Sequence, residues 1–355
     1  MLTMLLLYAA AGLVAPVEPQ HVTGGQPAGE CVFPTTVAVK TGGGLCTGTL
    51  VHPSVVVYAA HCGADEPAVV LGQHQLAGEV DAVIERCETN PDYLGASDPA
   101  HDWAYCLLAE PIDLPVTPPL YGCETDAIVA DAPVWIAGFG YTSPGVGDGS
   151  KNWAQTSIIS TFGSTATIGG DGASTCPGDS GGSAFIRLDD GGWRAISMVS
   201  AGVDCTSATH ALMHPAVPWI EERSGVDITP CHDVDGNWDP SPDCGGFYAG
   251  DTDASASWDV LCDGLSVTAP ASTCGEPYVE AEGSTGEVGD GSSSGDTPDP
   301  TMPDETGTSE GGESSGDAPE STDDTTSGGG CRTGGGAPTW LLLLTLGAWR
   351  RRGSR

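Results

Sequence analysis

Residues 22–225 are predicted to fold as an all-β domain. Short β-branched and apolar runs recur there, among them TTVAV (35–39), SVVVYAA (54–60), APVWIAGFG (132–140) and RAISMVSAG (194–202). Gly and Pro punctuate them, as expected between strands, where Gly supplies unusual backbone angles and Pro interrupts pairing. The length also suffices, since about 230 residues bury a sizeable core.

The chain of 355 residues carries a formal charge of −37. No Lys or Arg occurs between Arg223 and Arg332, while Asp and Glu are frequent. That argues against nucleic acid as a partner, because phosphate binding needs basic residues. With two lysines only, Lys40 and Lys151, the chain also offers few sites to proteases that cut after basic residues. Thirteen cysteines point to an oxidising compartment if the chain is exported. Export is expected from MLTMLLLYAAAGLVA (1–15), an apolar run with small residues near its end. It lacks the positive leader of a standard signal peptide, and cleavage after Ala11 or Ala15 stays open. Cleavage after Ala15 leaves residues 16–21 as a short propeptide.

Five stretches could carry chemistry. CPGDSGGSAF (176–185) sets Asp179 against Ser180 between glycines, either as a polar turn or as a strained turn presenting a nucleophile. VVVYAAHC ends a run with His61, HDWAYCLL places Asp102 before another, and WIAGFGYT holds a Gly-aromatic-Gly. VTGG (22–25) opens the domain. Taken singly, His61 could be a loop histidine and Asp102 a turn residue. Their order along the chain resembles that of the chymotrypsin-like serine proteases, over roughly residues 22–225.

The resemblance implies two six-stranded antiparallel β-barrels followed by a short C-terminal helix. It assigns the nucleophile to Ser180, the general base and acid to His61, and the orienting carboxylate to Asp102. Gly178 and Ser180 backbone N–H groups would form the oxyanion hole. Asp179 would pair with the amine of Val22 after activation cleavage, since a buried carboxylate without a partner is costly. His21 stands where many relatives have Arg or Lys, which argues against activation by a trypsin-like enzyme.

By the same resemblance, Ser174 forms the floor of the substrate pocket, Ser200 and Gly202 within SAGVDC (200–205) its wall, and Ala208 the residue behind. An uncharged floor gives no counter-charge for Arg or Lys, so large apolar or aromatic side chains are expected before the scissile bond. Asp204 could attract a cation at the rim or do nothing. Disulfides Cys46–Cys62 and Cys176–Cys205 are implied by the resemblance. Cys87–Cys106 and Cys31–Cys123 are further expectations, because sequence does not fix connectivity. HPAVPWIEERSG (214–225) resembles the family's C-terminal helix, expected to pack Trp219 against the second barrel.

Beyond it, Cys231, Cys244, Cys262 and Cys274 could close two bridges in a small Cys-rich module, 231–274. CHDVDGNWDPSPDC offers alternate oxygens at Asp233, Asp235, Asn237 and Asp239 that could circle calcium. The terminal bidentate Glu of a full loop is not in place, and a polar turn is preferred. Residues 276–330 are Gly, Ser, Thr, Asp, Glu and Pro with almost nothing apolar, which predicts a disordered acidic linker. Residues 331–355 resemble the myxobacterial MYXO-CTERM sorting tails: Cys331, an apolar run from Ala337 to Trp349, then Arg350 to Arg352. That implies processing near Cys331 and delivery to the cell surface or outer membrane, or else secretion. The run is short for a spanning helix, which takes about twenty residues.

The expected function is therefore an exported serine endopeptidase acting on protein or peptide substrates, with no cofactor and no metal. The alternative is a catalytically silent binding or adhesion protein that keeps the protease fold.

Overall fold

The computed structural model describes residues 22–42, 44–141, 147–202, 204–250 and 255–280. The expected signal peptide (1–15), propeptide (16–21), nearly all of the acidic linker (281–330) and the sorting tail (331–355) lie outside the described residues.

The strands, in chain order, are β1 (Gln26–Pro27), β2 (Thr36–Thr41), β3 (Gly44–His52), β4 (Val55–Tyr58), β5 (Ala68–Leu71), β6 (Val80–Ala82) and β7 (Ile84–Thr89). They continue as β8 (Ala104–Leu108), β9 (Pro133–Gly138), β10 (Asn152–Phe162), β11 (Thr165–Gly169), β12 (Ser183–Arg187), β13 (Trp193–Ala201) and β14 (Ser207–Leu212). One sheet runs β6-β5-β2-β3-β4-β8-β7, and the other β1-β10-β11-β14-β13-β12-β9 with a further β10–β9 pairing.

Each sheet thus has seven strands rather than the expected six, and the backbone explains both counts. In the first, β6 and β7 are separated only by the exposed Val83; β6 pairs with β5 and β7 with β8. Together they act as one bent strand that closes the barrel, as bends do at barrel corners. In the second, β10–β9 pairing closes β9 to β14 into a ring, and β1 is a two-residue addition to β10.

Alternation along β4 distributes its side chains between two cores. Val56 and Tyr58 point into the first barrel with Val37, Val39 and Leu71. Val55 and Val57 join Trp103, Phe185 and Met198 in a second cluster that draws on both barrels. Successive strand residues face opposite sides, so a strand buried on both reads as an unbroken apolar run. The second barrel has its own core of Val134, Ile136, Ile158, Ile168, Ile196 and Leu212.

The helix α1 (Val217–Ser224) carries Pro218 in its first turn, where the missing N–H costs nothing. It ends at Gly225, whose φ of 74° lets its N–H reach the Glu221 carbonyl. Val217 and Ile220 are buried, and Trp219 packs against the cluster that draws on both barrels. Its ring also meets Tyr105 of β8 edge-on at 5.5 Å.

The Cys-rich stretch is not a separate module. Six disulfides join the described cysteines: Cys31–Cys262, Cys46–Cys62, Cys87–Cys106, Cys123–Cys274, Cys176–Cys205 and Cys231–Cys244. The expected Cys31–Cys123 bridge is therefore replaced by two long-range ones that tie each cysteine to the C-terminal segment. Hydrophobic burial drives the same docking. Trp258 and Cys262 enter the first barrel's cluster, and Tyr248 joins the shared one. Tyr248 also accepts the Trp193 N–H, and its own N–H donates to Val116. In the 231–244 turn, Asp233 accepts from the Asp235 and Asn237 backbone N–H groups and from the Asn237 amide.

Candidate active site

His61, Asp102 and Ser180 come from three loops. His61 follows β4 in a short helical turn capped by Gly63, and the adjacent Cys62 is bonded back to Cys46 on β3. Asp102 precedes β8. Ser180 lies in the turn before β12, where its carbonyl accepts the Thr47 N–H (2.8 Å) from β3 of the other barrel.

Asp102 is fully buried and takes three donors. The His61 backbone N–H reaches Oδ1 at 2.8 Å, His61 Nδ1 lies 2.7 Å from Oδ2, and the Ser200 hydroxyl donates to Oδ2 at 2.6 Å. Each oxygen is thereby held, as a buried carboxylate requires. The His61 side chain is 29 % exposed, so the opposite edge of its ring can meet a substrate. Beyond its expected place at the pocket wall, Ser200 thus supports Asp102 through its hydroxyl. Only tertiary contact shows this, because the two residues are 98 positions apart.

The turn at Ser180 depends on glycine. Gly178 has φ 101°, and a side chain there would come within 2.7 Å of the Gly140 Cα. Gly181 has φ 82°, and its N–H bonds to Val199. Among the described residues, neither the Gly178 nor the Ser180 N–H has a hydrogen-bond acceptor. Two unpaired donors in the turn of a half-buried serine are what an oxyanion site needs.

Asp179 points the other way, fully buried against the Gly-aromatic-Gly. Side chains at Gly138 or Gly140 would collide with its carboxylate, which explains that motif. Its oxygens accept the Gly140 and Cys176 backbone N–H groups, each at 2.8 Å. Burial, only partly offset by these two bonds, pushes its pKa up to about 7. Val22 is also fully buried, within the second barrel's cluster, but its N–H is not among the donors to Asp179. The next residue is stitched to the same loop: the Ser174 N–H donates to the Thr23 carbonyl at 3.1 Å.

The expected pocket residues lie on three segments. Ser174 is fully buried, Gly202 sits so close to Ala208 that an added side chain would meet its Cβ at 2.9 Å, and Cys176–Cys205 joins the floor segment to the loop entering β14. Two polar residues missed in the sequence lie beside them, Thr175 and His210. Both are buried, and burial pushes the His210 ring down to about 3, so it is neutral. Asp204 is exposed, and its carboxylate accepts the Thr206 N–H within its own loop.

Two closed β-barrels, with a histidine–aspartate pair on one and a glycine-framed serine turn on the other, define a peptidase architecture. The family model for Trypsin matches residues 22–220. The chain belongs to the trypsin family and is a serine endopeptidase by class. It is 30 % identical over 232 residues to a trypsin-like protease of Streptomyces glaucescens, covering 56 % of this chain and 83 % of that one. It is 29 % identical over 190 residues to vitamin K-dependent protein C of Mus musculus, covering 45 % of this chain and 41 % of that one. Trypsin of Squalus acanthias is 27 % identical over 230 residues, 59 % of this chain and 98 % of its own.

Proposed function

We propose that Ser180 attacks the scissile carbonyl of a protein or peptide, with His61 taking and returning the proton and Asp102 fixing the His61 tautomer. The observation that carries this is the Asp102 carboxylate, buried and bonded to both the backbone and the ring of His61. A neutral imidazole so held has its free nitrogen available to a serine hydroxyl, which is a poor nucleophile until its proton is removed. Gly178 and Ser180 N–H groups hold the oxyanion that develops as the carbonyl becomes tetrahedral.

Activation accompanies this reading. Cleavage before Val22 releases an amine that pairs with Asp179, removing the cost of a buried carboxylate without a cation. Ser174 at the floor offers no counter-charge to Arg or Lys. On that ground alone, apolar or aromatic side chains would fill the pocket, and the wall residues below narrow that choice. The six described disulfides fit an oxidising, extracytoplasmic setting. Export by residues 1–15, an acidic stalk and a tail processed near Cys331 would hold the enzyme at the cell surface.

The test is labelling of the mature protein with a fluorophosphonate, beside Ser180→Ala, with N-terminal sequencing of the labelled species. Labelling abolished in Ser180→Ala, on a chain beginning at Val22, is the expected outcome. A chain that begins at Val22 and takes no label would favour a silent binding protein.

A further inference from the structure

Thr175 Oγ1 and His210 Nε2 are buried and have no hydrogen-bond partner among the described residues. Leaving a buried polar atom unpaired is costly, so each of the two calls for a partner. Their placement in the fold is specific. Thr175 directly follows Ser174, and the Cys176–Cys205 bridge joins that segment to the entrance of β14. His210 lies two residues beyond Ala208 on β14, so the two side chains leave the same face of the strand. The nucleophile turn is one strand away. Val199 accepts the Gly181 N–H and donates to the Gly182 carbonyl, and its register partner across β13 and β14 is His210.

The ring of His210 is also oriented. Its Nδ1 lies 3.0 Å from the Ser197 hydroxyl, which leaves Nε2 as the free edge. When the Ser197 hydroxyl donates to Nδ1, the ring proton resides on Nε2, giving a donor fixed in direction. The Thr175 hydroxyl rotates to donate or accept.

We propose that Thr175 and His210 set the specificity of the pocket, selecting substrates whose side chain before the scissile bond ends in a carboxyl or carboxamide oxygen. Glu and Gln satisfy both atoms. An apolar or aromatic side chain leaves both unpaired, and a basic one brings donors to a fixed donor. The assignment rests on the endopeptidase reading above and replaces the apolar preference expected from Ser174 alone.

The test uses the full chain matured to Val22, with its reactive fraction counted by fluorophosphonate labelling. Peptides differing only in Glu, Gln, Phe or Lys before the scissile bond are then compared. Glu and Gln are expected to exceed Phe and Lys by roughly tenfold or more in kcat/KM per labelled site, the scale of one unsatisfied buried group. Thr175→Val and His210→Leu are expected to move the order towards Phe, and His210→Gln to keep part of the original preference. Glu ahead of Gln means the site takes the carboxylate, and Gln ahead of Glu means it takes the neutral amide. If His210→Leu yields no labelled fraction, Thr175→Val carries the comparison. A labelled enzyme that cleaves Phe as fast as Glu and Gln, with the order unmoved by Thr175→Val, overturns the assignment. A wild-type chain at Val22 that takes no label overturns the endopeptidase reading itself, a distinct result.

Discussion

Asp102 and Asp179 are both fully buried carboxylates, 77 residues apart in sequence, and they are satisfied in different ways. Asp102 takes a backbone N–H, the His61 ring and the Ser200 hydroxyl. Asp179 takes two backbone N–H groups and nothing charged, and burial pushes it up to about 7. The first barrel's half of the site is therefore finished in the continuous chain. The half built around Asp179 still lacks a cation, and an amine at Val22 would supply one.

The comparison breaks most visibly at Asp102. Asp102→Asn is expected to lower kcat/KM by about 10⁴-fold, because the ring would be held in the wrong tautomer. Steady-state kinetics on the mature chain measures it, and a loss below tenfold would mean that Asp102 is only a structural acid. Asp179→Asn is expected to cost less, about a hundredfold, since it removes the counter-charge for the Val22 amine and leaves the His61 pair in place. Active-site titration would show it as a smaller reactive fraction.

A pH series sharpens the contrast. In the uncleaved chain Asp179 keeps its proton up to about 7, whereas the unfolded chain releases it near 3.8. The folded state then holds the extra proton across that window, so this group's contribution to stability falls as pH rises from 3.8 to about 7. His210 works in the opposite sense, adding stability as pH rises from about 3 to 6.5. The Asp179 contribution is therefore read as a difference: the Tm of uncleaved Asp179→Asn should gain on that of the uncleaved wild type as pH rises from 4 to 7. Parallel Tm profiles would contradict a buried, cation-less carboxylate. The smallest effect belongs to Ser200→Ala, which removes one donor to Asp102 and should lower kcat about tenfold or less.

Local motifs made much of this legible in the sequence. VVVYAAHC, HDWAYCLL and CPGDSGGSAF each place a functional side chain at the end or head of an apolar run, so strand and site residue are read together. Long-range partnership was not legible. Cys31 bonds Cys262 across 231 positions, and nothing near Cys31 distinguishes that partner from Cys123. Residues 231–274 are not self-contained: Tyr248 and Trp258 supply the apolar surface that docks them on the barrels, and no local pattern shows this. The Ser200 bond to Asp102 was not legible either, because the direction of a hydroxyl depends on the fold. Thr175 and His210 carried one available signal: polar residues beside Ser174 and Ala208, both already assigned to the pocket.

The central claim is that freeing the Val22 amine completes the Asp179 half of the site. Replacing residues 17–21 with a recognition sequence for a specific protease puts that step under control. Fluorophosphonate labelling is then followed before and after the cut, with the new N-terminus sequenced. The account predicts labelling of Ser180 that rises sharply once Val22 is terminal. Equal labelling of the uncut chain would contradict it, as would no rise after a verified cut.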